Sequence, residues 1–115
     1  QHTFEKNYKE NIVSLTSAST IAVDCSLSSF FEVTLEHDNA NFVLSNLPAG
    51  GTVSIVVTQD SGGGNSAAFY AADSTATKFA QGVSTLSAGA NDIDVVTIFN
   101  NGGGTLLGTI QKDFT

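Results

Sequence analysis

NFVLSNLPAGGTVSIVVTQDSGGG, residues 41–64, decides the fold. Its second half alternates: Val53, Ile55 and Val57 fall on one side of an extended chain, and Ser54, Val56 and Thr58 on the other. Apolar, β-branched residues at a period of two predict a half-buried strand over 52–59. Ahead of it, residues 46–51 (NLPAGG) are turn chemistry, and a shorter strand is expected over 41–44. The stretch closes on a triple glycine. NDIDVVTIFNNGGGTLLGTIQKDF, residues 91–114, follows a similar plan. A strand over 92–99 runs into Asn100, Asn101 and three glycines, and a second strand follows over 105–112. Asn and Gly supply the positive φ that hairpin turns require. Each stretch reads as paired strands meeting at a turn.

Outward from these, the same rhythm continues. Strands are expected over 12–16, 20–25, 30–36, 67–72 and 83–86, with irregular loop over 73–81. In 30–36, Phe31, Val33 and Leu35 point one way, and Glu32, Thr34 and Glu36 the other. About eight short strands at regular spacing indicate an all-β chain: a single small β-sandwich, jelly-roll-like, with antiparallel strands. No repeat of 20 to 50 residues is evident. Residues 1–10 read as a polar arm whose large apolar groups, Phe4 and Tyr8, need a neighbour to order them. Residues 11–115 form the domain.

The 115 residues fit one domain. Only one proline is present, and Gly, Ser, Thr, Asn and Ala dominate, a composition suited to strands and tight turns. The net charge is −7, with four lysines and no arginine. That balance argues against nucleic acid, whose phosphates demand many cations, and against anionic membrane surfaces. Cys25 stands alone, which excludes an internal disulfide and a cysteine metal cage; it reads as a small apolar residue beside a strand. The longest apolar run, 67–72, is far short of a bilayer span, and the polar N-terminus is unlike a signal peptide. A start at Gln1 without methionine is what a fragment or a processed product would show.

Three constellations invite chemistry, and the residue types argue against each. The triple glycines 62–64 and 102–104 lack the Lys and Ser/Thr of a phosphate loop, so they read as turns. Asp92 and Asp94 share a strand face but lack the further oxygens that calcium needs; protection of a sheet edge explains them. Glu36, His37 and Asp38 group a histidine with carboxylates, yet no G-x-S-x-G elbow accompanies them, and His2 is not spaced with His37 for zinc. No catalytic, cofactor-binding or metal-binding residue is predicted, and the chain is expected not to be an enzyme.

One irregularity bears on assembly. In 92–99, Ile93, Val95, Thr97 and Phe99 occupy one face and Asp94, Val96 and Ile98 the other. Val56 and Phe30 are likewise apolar on the outer faces of their strands. A lone sandwich places polar groups at such positions. Two readings are open: Phe30, Val56, Val96 and Ile98 meet another subunit, or a β-bulge at Val95-Val96 reverses the alternation.

Several segments together resemble a module of tailed-bacteriophage virion proteins. Tyr8-Lys9-Glu10, the run 21–27 (IAVDCSL) and Phe31-Glu32-Val33-Thr34-Leu35 match its opening. Residues 43–50 (VLSNLPAG) match its F-S-N-L-P-A-G segment, 55–60 (IVVTQD) its L-x-L-T-Q-D strand, and 94–114 its glycine-interrupted end with K-D-F. The resemblance covers nearly everything from Tyr8 onward. Where that module has a W-P segment, this chain has Ala67-Ala68-Phe69-Tyr70, and Leu106-Leu107 stands in place of a late Trp. The resemblance implies a virion-surface structural protein, either a capsid decoration (cement) protein or a tail-fibre module. It also implies a homotrimer and contacts with other capsid or tail proteins. An adhesin tip is the alternative, with Tyr70 as an aromatic platform for a host glycan and Asn65 as its polar neighbour.

Overall fold

A computed structural model describes residues 11–114. Phe4 and Tyr8, the expected arm contacts, lie outside the described residues. The described residues are all-β: nine strands and one short 3-10 turn at Ala80–Gly82. The strands are β1 (Ile12–Ser14), β2 (Thr20–Asp24), β3 (Phe30–Leu35), β4 (Ala40–Ser45), β5 (Thr52–Gln59), β6 (Ala67–Ala71), β7 (Lys78–Phe79), β8 (Ile93–Asn100) and β9 (Leu106–Gln111). They make two sheets, a larger one in the order β1-β3-β5-β8-β9-β7 and a smaller one in the order β2-β4-β6.

The path between the sheets departs from the expected jelly roll. From β1 to β6, successive strands alternate between the two sheets, and each of β1 to β4 pairs in parallel with the strand two places on. Ile12 lies beside Phe30 and Phe30 beside Ser54, at intervals of 18 and 24 residues. Thr20 lies beside Asn41 and Asn41 beside Ala68, at intervals of 21 and 27. The chain therefore coils, and the coils lengthen. Among the described residues, antiparallel pairing of strands is confined to β5–β8 and β8–β9, beside one isolated antiparallel bridge between Tyr70 and Ala76. Residues 46–51 consequently carry the chain from one sheet to the other rather than closing a hairpin, so β4 and β5 are not partners. The β8–β9 hairpin across Asn101–Gly104 is as expected. Residues 83–86 pair with no strand.

One core joins the inner faces of both sheets. Phe31, Val33, Leu35, Val53, Ile55, Val57, Val96 and Ile98 come from the large sheet; Ile21, Val23, Phe42, Leu44 and Phe69 come from the small one. Each such side chain contributes about 1.5–3 kcal/mol on removal from water. Phe42 and Phe69 are register partners and stack at 4.7 Å, while Phe79 meets Phe69 edge-on at 5.8 Å. Phe79 also lies over Gly108, its partner across β7–β9; a β-carbon there would stand 2.8 Å from the ring. Gly63 has φ +64°, and a β-carbon on it would stand 2.6 Å from the Ala88 carbonyl, so the first triple glycine packs under the 88–90 turn.

β8 corrects the facial assignment. Its alternation is regular through both of its ladders, so no bulge reverses it. Asp94, Val96 and Ile98 all point inward, at 2, 0 and 0 % exposure. Asp94 does not guard an edge. One carboxylate oxygen accepts the Ser87 N–H at 2.6 Å and the other the Asp113 N–H at 2.8 Å, tying two flanking segments to the strand. Those two backbone donors are what make a buried carboxylate tolerable at this position. Asp92 lies before the strand and accepts the Gly89 N–H at 2.7 Å, so the two aspartates do not form a pair.

Candidate functional site

The free surface of the large sheet is the most distinctive feature. Its side chains fall into rows set by the ladders. Ile12, Phe30, Ser54, Thr97 and Thr109 make one row; Ser14, Glu32, Val56, Val95 and Gln111 a second; and Thr52, Phe99, Leu107 and Lys78 a third. Among the described residues, eight large apolar side chains are exposed, and five of them, Ile12, Phe30, Val56, Phe99 and Leu107, belong to these rows. Scattered singly they would need no explanation, but on one face they form a patch. The parallel half of the sheet sharpens the point, because parallel sheets are ordinarily covered on both faces.

Charge is sparse in these rows. Glu32 lies toward the β1 edge and accepts a hydrogen bond from the Ser14 hydroxyl. Lys78 lies on β7, at the far edge. Four strand spacings separate their strands, about 19 Å. The two charges cancel, so the rows are neutral in a chain of net charge −7. Beside Lys78, the side chains of Thr97, Phe99, Leu107 and Thr109 line a groove of about 400 Å³.

Of the four residues expected at a subunit contact, Phe30 and Val56 lie on this face, at 46 and 36 % exposure. Val96 and Ile98 do not; they are core, and the neighbours that take the outward places on β8 are Val95 and Phe99. The alternation divides the faces of β8 as expected, but the face of Val96 and Ile98 is the inside.

No protein-family model, curated protein or solved structure matches this chain.

The glycan candidates sit along one edge of the small sheet. Tyr70 is half-buried on β6 and lines a cleft of about 150 Å³ with Phe69, Thr77 and Ser84. Asn65 lines a neighbouring cleft of about 260 Å³, and the two clefts share Ala67 and Ser84. The Asn65 amide nitrogen is committed to the loop, donating to the Leu35 carbonyl at 2.9 Å and the Asp60 carboxylate at 3.3 Å. The buried Gln59 braces the same turn through the Asn65 backbone, donating at 2.7 Å and accepting at 3.1 Å. Thr77 presents a buried hydroxyl without a hydrogen-bond partner.

The histidine cluster takes up structural roles. The His37 ring nitrogen Nδ1 lies 2.9 Å from the Ser17 hydroxyl, a contact that sequence spacing did not reveal because Ser17 comes from the β1–β2 connection. That hydroxyl also accepts the Glu36 N–H at 2.9 Å. Asp38 accepts the Ser66 N–H at 2.8 Å and the Ser66 hydroxyl at 2.9 Å. These bonds, led by the Ser66 N–H, hold the Asp38 carboxyl below its ordinary range. Cys25 is half-buried, and burial, reinforced by the nearby Asp24 charge, pushes its thiol up to about 11. A thiol so shifted is a poor nucleophile at neutral pH. Among the described residues, no three His, Cys, Asp or Glu side chains are placed to hold a metal ion, and no helix is long and apolar enough to cross a membrane.

Proposed function

We propose that this chain is a non-enzymatic structural module of a bacteriophage virion surface, a capsid decoration protein or a tail-fibre module, assembled as a homotrimer. The observation that carries the assembly is the neutral outer face of the large sheet, which no other described element covers and which exposes Ile12, Phe30, Val56, Phe99 and Leu107. Burying it between copies removes Phe30, Val56, Phe99 and Leu107 from water without opposing the negative charge carried elsewhere on the molecule. The sequence resemblance from Tyr8 to Phe114 supplies the virion setting. Light scattering on the purified chain tests the assembly: the expected mass is three times 11.9 kDa, about 36 kDa, and a monomer at about 100 μM would refute it. Antibody labelling of phage particles that carry the chain tests the setting. Label on the head supports decoration, label on the tail supports a fibre, and unlabelled particles refute both.

A second reading, glycan binding at the β6 edge, rests on Tyr70 lining a cleft there, with Asn65 in the neighbouring one. It predicts that the chain binds on a glycan array and that Tyr70→Ala abolishes the signal. A blank array would remove this reading and leave the first intact.

A further inference from the structure

The face described above is not uniform, and its two ends differ in kind. Toward the β1 edge it projects: Phe30 is 46 % exposed, its register partner Ile12 is 67 % exposed, and Glu32 stands one outward place along β3. At the opposite edge it recedes into the groove bordered by Phe99 and Leu107, with Lys78 on its rim. The projecting end carries the acid and the receding end the base.

We propose that copies of this chain associate head to tail through these two ends. Phe30 of one copy enters the Phe99–Leu107 groove of the next, and Glu32 meets Lys78. This rests on the reading that the chain self-associates through the outer face of the large sheet, and it specifies the contact. A second copy is the occupant because the charges are complementary between the ends of the same face. In this arrangement each copy gives its projection to one neighbour and its groove to another, so each junction is heterologous. Repeating one rotation closes a ring when three such rotations complete a full turn, as the trimer requires, and an open filament forms when they do not.

The geometry predicts a complementation that few other arrangements give. Phe30→Asp spoils the projection and leaves the groove; Leu107→Asp spoils the groove and leaves the projection. Both residues are exposed, so each variant is expected to fold, which circular dichroism checks. In sedimentation velocity each variant alone runs as a monomer. An equimolar mixture gives one-to-one dimers, because a single intact junction forms and cannot propagate. Charge reversal supplies a second readout. Glu32→Lys or Lys78→Glu alone weakens association by about tenfold or more, and the two together in one chain restore it. If the unaltered chain is monomeric, self-association itself fails. If it is oligomeric and both Asp variants keep the oligomer, or their mixture stays monomeric, the head-to-tail contact fails while self-association stands.

Discussion

Ile98 and Phe99 are neighbours on β8, and the fold assigns them opposite fates. Ile98 is fully buried and Phe99 is 39 % exposed on the open face. Ile98→Ala deletes three carbons from the core. At about 0.8 kcal/mol per carbon the transfer loss is about 2.4 kcal/mol, and the residual cavity brings the total to about 3 kcal/mol, within the 2–5 found for such truncations. Phe99→Ala removes a larger side chain but opens no cavity. In the monomer it loses its cross-strand contacts with Thr52 and Leu107, about 1 kcal/mol together. With a urea slope of about 1.5 kcal/mol per molar for a domain of this size, the midpoints should fall by about 2 M and less than about 1 M. The assay is urea unfolding followed by circular dichroism, at dilutions where the midpoint no longer depends on protein concentration, so that assembly does not contribute. Association should respond in the reverse order, with Phe99→Ala weakening the oligomer and Ile98→Ala leaving the surface patch in place. A midpoint loss for Phe99→Ala equal to or above that for Ile98→Ala would refute the assignment of inside and outside on this strand. The same logic makes Ile98→Asp an unfolding mutation rather than a dissociating one, because it buries a charge with no donor to meet it.

Three further outcomes follow from the same structure. Asp94→Asn keeps the shape but turns one acceptor into a donor facing a backbone N–H, at Ser87 or Asp113. It should cost about 2–4 kcal/mol in urea unfolding, and a change under about 0.5 kcal/mol would show that the carboxylate is not holding those segments. Cys25, with its thiol near 11, should be roughly 0.1 % thiolate at pH 8; labelling by a disulfide reagent should be slow in native protein and rapid in urea, and fast native labelling would contradict the burial. Asp24 and Asp38 have carboxyls held below the ordinary 3.8, Asp24 chiefly by the Ser26 hydroxyl and Asp38 chiefly by the Ser66 N–H. Their folded values lie beneath the unfolded ones, so their contribution is complete above 3.8 and is lost as pH falls through the folded values. Thermal melts should be level from pH 7 to about 5 and decline below about 4, less steeply in an Asp24→Asn, Asp38→Asn double variant; a steepest loss above pH 5 would overturn this.

The strands of this protein are legible in its sequence because alternation is a local property. Phe31, Val33 and Leu35 in β3, and Val53, Ile55 and Val57 in β5, are buried as their spacing requires. Alternation divides a strand into two faces but does not say which one is inside. In β8 both faces are apolar, and the lone carboxylate of Asp94 argued for the solvent side. Only the fold brings the Ser87 and Asp113 N–H groups to it. The parallel winding was hidden for a related reason. Its coils advance by 18 to 27 residues, so the structural repeat has no fixed period for a sequence to display. The open face was visible in part through Phe30 and Val56, whereas the groove beside Lys78 depends on β7, a two-residue strand too short to leave a pattern.

The alternation of strands between sheets also sets the order in which the chain can fold. From β1 to β6 no strand can pair with its neighbour in sequence, and every parallel pair there closes a loop of at least 18 residues. The β8–β9 hairpin closes across Asn101–Gly104 and is the pairing available earliest. Chains dominated by such distant pairings fold in milliseconds to seconds rather than microseconds. Stopped-flow refolding should therefore be slow, with substitutions in β8 and β9 acting on the folding rate and substitutions in β1 and β2 acting on the unfolding rate. During that interval Val53 to Val57 is an exposed apolar strand awaiting partners on either side.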